Sequence, residues 1–134
     1  MSNFDAVVRS DKPEEEFKTG SVRDSRLGKG RYDLISPFAM ARLATHFENG
    51  ATRYGIRNWE LGQPLSRYWD SAVRHLNKYL TNKMLGVDQP EDHLAAAMWN
   101  VHCILHTEEM IERGLLDDKL DDFPVYKSSN SEGK

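Results

Sequence analysis

Three stretches of this chain carry apolar residues at spacings of three and four, and no stretch carries them in sustained alternation. A helix repeats about every 3.6 residues and a strand every second one, so the pattern commits the chain to an all-α fold. The first stretch opens at Ser36-Pro37, a good N-cap residue followed by the residue best tolerated in a first turn. Met40, Leu43, Ala44, Phe47, Ala51 and Tyr54 then share one face. Gly50 and Gly55 either permit close backbone approach or end the helix. A second helix is predicted from about Ser66 to Lys83, with Trp69, Ala72, Val73, Leu76, Tyr79 and Leu80 as its stripe. A third opens at Asp88-Gln89-Pro90-Glu91, with Asp88 as cap. It carries Leu94, Ala97, Met98, Val101, Ile104, Leu105 and Ile111 before stopping at Gly114.

The rest of the chain is punctuation. Residues 1–30 read as an extended arm, because Thr19 to Arg31 is too polar and glycine-rich to fold alone. Asn58 to Leu65 is a loop broken by Gly62 and Pro64, and Leu115 to Phe123 holds one more short helical turn. Residues 124–134 read as a flexible tail, which leaves residues 31–123 as the helical domain, the part expected to carry any chemistry. The expected architecture is a small bundle of three main helices plus short helical turns. Such a bundle leaves apolar surface over, so a homo-oligomer is expected to complete it.

Charge narrows the function. Eighteen Lys and Arg against 21 Asp and Glu give a net charge of -3, which argues against non-specific nucleic-acid binding. No apolar run is long enough for a membrane span, and the first residues lack the apolar core of a signal peptide. One cysteine, Cys103, allows no internal disulfide, and a cytoplasmic setting is the simplest expectation.

Several groups carry candidate chemistry. Glu91, Asp92 and His93 stand together at the start of the third helix, either as caps or as a hard-cation site. Glu48 lies at the edge of the first apolar stripe, either solvated or turned into a site between helices. Asp70 has Arg74 one turn later, which a simple ion pair explains. Lys29, Arg31, Arg53 and Arg57 form a basic set suited to phosphate, although Gly28 to Arg31 is no phosphate loop. His102 and His106 have the spacing to share a metal, but no second Cys/His cluster supports zinc, and the core margin is the simpler place for them.

The ordered set Thr19-Gly20, Gly28 to Leu34, Glu48 to Gly62, Arg74-His75-Leu76, Glu91 to Leu94 and Trp99-Asn100 resembles the dATP/dGTP diphosphohydrolase family, found mainly in bacteriophages. That family is grouped with the all-α, MazG-like nucleotide pyrophosphohydrolases. The resemblance runs from about Thr19 to Gly114 and implies hydrolysis of dGTP or dATP to monophosphate and pyrophosphate, with Mg²⁺. It further implies nucleotide-pool control or a supply of dGMP for modified-purine synthesis. The chain departs from the superfamily in one respect. Glu108, Glu109 and Glu112 match the EExxE half of its metal motif, but no ExxD follows. The metal ligands therefore do not transfer by motif.

Chemistry supplies the candidates instead. A triphosphate demands Mg²⁺ and cationic side chains. Glu48, Glu91 and Asp92 are the expected metal ligands and catalytic carboxylates. Lys29, Arg31 and Arg53 are expected to hold phosphates, Asn58 and Asn100 to read the purine edge, and Trp59 to stack on the base or simply to pack. The competing class is a non-catalytic helical adaptor or inhibitor, for which the same apolar stripes form a partner surface.

Overall fold

A computed structural model describes residues 14–128. The fold is mostly helical, with α1 at Pro37–Tyr54, α2 at Leu65–Leu85 and α3 at His93–Glu112. Short 3-10 turns sit at Tyr32–Leu34, Asn58–Leu61 and Asp118–Leu120. Residues 1–13 of the expected arm and 129–134 of the expected tail lie outside the described residues. Strands β1 (Glu14–Glu16) and β2 (Val22–Asp24) pair antiparallel, with Glu15 opposite Arg23. Three-residue strands are too short to show alternation in sequence.

Local chemistry sets the helix ends. Ser36 accepts a hydrogen bond from the Ala39 N–H (3.2 Å), and Pro37 fills the first position of α1. The helix passes through Gly50 and stops at Gly55, which adopts φ +96°. A Cβ at Gly50 would meet nothing within 4 Å, so that glycine makes no close contact. Gly86 closes α2 in the left-handed region, with Val87 N–H donating to the Asn82 carbonyl (3.0 Å).

The start of α3 differs from the expectation. Asp88 is not the cap: Asp92 is, accepting from the Ala95 N–H at 3.1 Å. Gln89 holds the preceding segment in the connection. Its Nε2 donates to the Tyr79 carbonyl (3.0 Å), and its Oε1 accepts from Asn82 Nδ2 (3.1 Å). Pro90 and Glu91 consequently precede the helix.

Helix α3 lies in the middle, packed mainly on α2 and secondarily on α1. Its buried face is built of small residues, Ala95, Ala96, Ala97, Asn100, Cys103 and Thr107. These allow the helices to approach closely, while Leu65, Tyr68 and Cys103 centre the core with Trp59, Trp99 and Ile104 against them. The larger apolar residues of the predicted stripes lie elsewhere. Trp69, Val73, Leu76 and Leu80 on α2, and Met98, Val101 and Leu105 on α3, are exposed in the single chain. Periodicity identified helices but not which apolar stripe faces inward.

The segment after α3 folds back onto the start of α2. Pro64 offers no side-chain cap, and Asp122 supplies one: Ser66 N–H and Oγ–H donate to its carboxylate at 2.9 and 2.5 Å. Beside it, Gly62 sits at φ +95°, where an added Cβ would lie 2.9 Å from Leu120 Cδ1 and 3.2 Å from Leu116 Cδ1.

Candidate active site

A cavity of about 810 Å³ opens between the C-terminal half of α1, the 3-10 turn after it, the first half of α2 and the middle of α3. That size lies in the range of small-molecule sites. Its walls combine aromatic surface with opposed charges. Glu48 comes from α1 and Asp70 from α2, and neither carboxylate has a side-chain partner among the described residues. Arg57, Arg67 and Arg74 bring three guanidinium groups to the same cavity. Arg57 pairs with Glu60 and holds the left-handed conformation at φ 73°. Among the described residues it is the sole non-glycine with positive φ. Such backbone strain costs about 1–3 kcal/mol and clusters at functional sites.

The aromatic wall is fixed from behind. Trp59 is half-buried and packs edge to face with Phe47, His102 and His106, at centroid distances of 5.7, 5.0 and 4.8 Å. Tyr68 O–H donates to the Trp59 carbonyl at 3.4 Å. Burial pushes the Tyr68 hydroxyl up to about 12, so it stays a donor at neutral pH. Burial also lowers His102, with His106 adding to the effect, so His102 packs as a neutral ring. Asn100 is buried, and both its donors are engaged: Nδ2 reaches the Ala96 carbonyl (2.8 Å) and Ser71 Oγ (3.2 Å). Only its Oδ1 is left to face a ligand, as an acceptor.

The expected site residues divide between places. Glu48, Asn58, Trp59 and Asn100 line the one cavity. Lys29, Arg31 and Arg53 do not. Arg31 is held by Asp33 (2.8 Å), and Arg53 stacks over Tyr54 with its guanidinium carbon 5.1 Å from the ring centroid. Glu48, Glu91 and Asp92 do not gather into one ligand set. The Asp92 carboxylate is bound by Arg42 Nε and Nη2 at 2.8 and 2.6 Å besides capping α3. The Arg42 guanidinium holds that carboxyl below the usual range, against a smaller opposing effect of burial, with help from the Ala95 N–H.

Glu91 keeps different company. Its Oε1 lies 3.7 Å from His93 Nδ1, and His93 Nδ1 lies 3.0 Å from His75 Nδ1. Glu108, Glu109 and Glu112 do not line the cavity; Glu109 pairs with Arg113 at 2.5 Å.

Asp70, Arg67 and Arg74, which sequence reasoning does not place at a site, also line the cavity. The Asp70–Arg74 pair looked self-sufficient, but Arg74 Nη2 instead donates to Ser71 Oγ at 3.3 Å. A polar strip at positions 67, 70 and 74, spaced by three and four on α2, was the available signal.

Fold and site together define a small all-α domain built around a charged, aromatic-walled cavity. Residues 19–119 match the family described as dATP/dGTP diphosphohydrolase, N-terminal, and the chain belongs to that family. No curated protein and no solved structure matches the chain. Among the described residues, no helix is long and apolar enough to cross a membrane.

Proposed function

We propose that the chain hydrolyses dGTP or dATP to the deoxynucleoside monophosphate and pyrophosphate. The observation that carries this reading is one cavity holding two unpaired carboxylates, three arginines, Trp59 and an asparagine acceptor. Glu48 and Asp70 are the proposed metal ligands and catalytic carboxylates, since Glu91 and Asp92 lie outside the cavity. An all-oxygen pair fits Mg²⁺, which binds through one or two carboxylates and completes its shell with phosphate oxygens and water. Mg²⁺ bound there supplies charge neutralisation and Lewis acidity.

The remaining chemistry belongs to the chain. Arg57, Arg67 and Arg74 draw the triphosphate into the cavity and hold its oxygens. Trp59 offers its ring to the base, and Asn100 Oδ1 accepts from a purine amino group, with Asn58 at the rim. One carboxylate takes a proton from the attacking water. The new bond forms from that water oxygen to the α-phosphorus, the bond from the α-phosphorus to the bridging oxygen breaks, and pyrophosphate leaves. Removal of purine triphosphates would adjust a nucleotide pool or supply a monophosphate for modified-purine synthesis.

A homo-oligomer is part of the proposal. Val73, Leu76 and Leu80 are spaced by three and four along exposed α2, and Val101 and Leu105 likewise along α3. Exposed apolar surface of this kind marks an interaction face. The same face favours the second reading, a non-catalytic adaptor.

Product-resolved hydrolysis separates the two. Magnesium-dependent release of pyrophosphate and deoxynucleoside monophosphate is expected, stopped by chelator. Glu48→Gln and Asp70→Asn are each expected to lower turnover by about 100-fold or more at unchanged helicity. Absence of turnover on every deoxynucleotide by the parent protein favours the adaptor.

A further inference from the structure

The structure assigns a second metal site, for a nitrogen-preferring divalent ion such as Zn²⁺, to His75, Glu91 and His93. It stands apart from the cavity, since none of the three residues lines it. Each of them offers one donor atom, and the three donors lie within 4.8 Å of one another.

The separations match a shared ion. Two nitrogens each about 2.0–2.1 Å from tetrahedral zinc stand roughly 3.3 Å apart. The two Nδ1 atoms stand 3.0 Å apart. A zinc-bound carboxylate oxygen and nitrogen are separated by roughly 3.3–3.5 Å, and Glu91 Oε1 lies 3.7 Å from His93 Nδ1. Both contacts of His93 are thus within a few tenths of an ångström of coordination separations, and reorientation of the exposed Glu91 side chain brings its oxygen toward His75 as well.

The donors also differ in rigidity, as a selective site requires. His93 is 3% exposed at the first position of α3, which fixes its ring. His75 is half-buried near the middle of α2. Glu91 is exposed in the connection, so it can close on the ion and leave a fourth position to solvent. Two imidazoles and one carboxylate suit zinc, cobalt or nickel, whereas Mg²⁺ favours oxygen alone.

Without an ion, the two Nδ1 atoms share one hydrogen: one donates and the other accepts. Binding an ion through both moves that hydrogen to the distal nitrogen of its own ring, so a pair of neutral imidazoles releases no proton. The positive end of α3 opposes a cation here. Glu91 supplies the opposing negative charge, since Asp92 is already paired with Arg42. An ion held this way would tie the middle of α2 to the start of α3.

Cobalt(II) is the probe, added to the full chain in millimolar Mg²⁺ so that all-oxygen sites are already filled. One cobalt per chain is expected, with the intense visible d–d bands of a tetrahedral site. His75→Gln and Glu91→Gln are each expected to weaken cobalt binding at least tenfold at unchanged far-ultraviolet circular dichroism. Glu48→Gln is expected to leave it unchanged, which separates this site from the proposed catalytic one. Zinc is expected to displace the cobalt and raise the melting temperature of the parent but not of His75→Gln. Failure of the parent to bind cobalt, or binding that survives unweakened in His75→Gln or in Glu91→Gln, overturns the assignment.

Discussion

Asp92→Ala tests whether this carboxylate holds structure or metal. The substitution removes two things: the cap on the Ala95 N–H, and the two-point pair with Arg42. Loss of an N-cap costs about 0.5–2 kcal/mol. The pair adds little, because its side chains are 58% and 38% exposed and water screens them, so about 0.2–1 kcal/mol is appropriate. The sum is roughly 1–3 kcal/mol. At roughly 4 °C per kcal/mol for a domain of this size, the melting temperature should fall by about 4–12 °C. Asp92→Asn keeps a capping oxygen and should lose only the pair.

The pH dependence follows from the lowered carboxyl of Asp92. A depressed folded-state value contributes stability above the unfolded value of about 3.9. That contribution is lost as pH falls through the folded value. The gap in melting temperature between parent and Asp92→Ala should therefore be constant near neutrality and close in acid. Turnover by the folded variant should stay within about threefold of the parent, since Asp92 is outside the cavity. A stable, helical Asp92→Asn protein that has lost turnover by about 100-fold or more would refute this and return Asp92 to the metal.

Gly62→Ala should destabilise by about 2–4 kcal/mol, from the disallowed φ and the crowding by Leu120 and Leu116, read as a lower denaturation midpoint at unchanged slope. Equal midpoints would show that the loop relaxes freely. Cys103 is fully buried, and burial pushes its thiol up to about 12, so thiol reagents at pH 8 should leave it unmodified until denaturant is added. Rapid labelling of native protein would contradict the packing. Leu76→Glu should reduce the mass seen by light scattering toward that of one chain while helicity is kept, and an unchanged mass would exclude this stripe from the interface.

Local signals were legible and long-range ones were not. Ser36, Gly55 and Gly114 marked real ends, because capping is decided within a few residues. Asp88, Glu91 and Asp92 offered rival starts for α3. The choice fell to Gln89, whose bonds reach Tyr79 and Asn82 on another helix. Glu48, Asn58, Trp59 and Asn100, singled out by residue type and neighbourhood, are brought by the fold to one cavity. Asp70 was hidden by Arg74, an apparent partner that the fold turns to Ser71 instead. His75 and His93 meet across 18 positions of sequence, a pairing that helical spacing does not encode.

The clip at the start of α2 gives the site an order of assembly. Asp122 reaches back 56 positions to Ser66, and Leu116 and Leu120 close over Gly62. Synthesis runs from the N-terminus, so α1, α2 and their two cavity carboxylates leave the ribosome before the residues that steady the Trp59 turn. A nascent chain that has not reached Leu116 carries its acids and arginines but lacks the clip over Gly62. The clip therefore closes only after all three helices have been made.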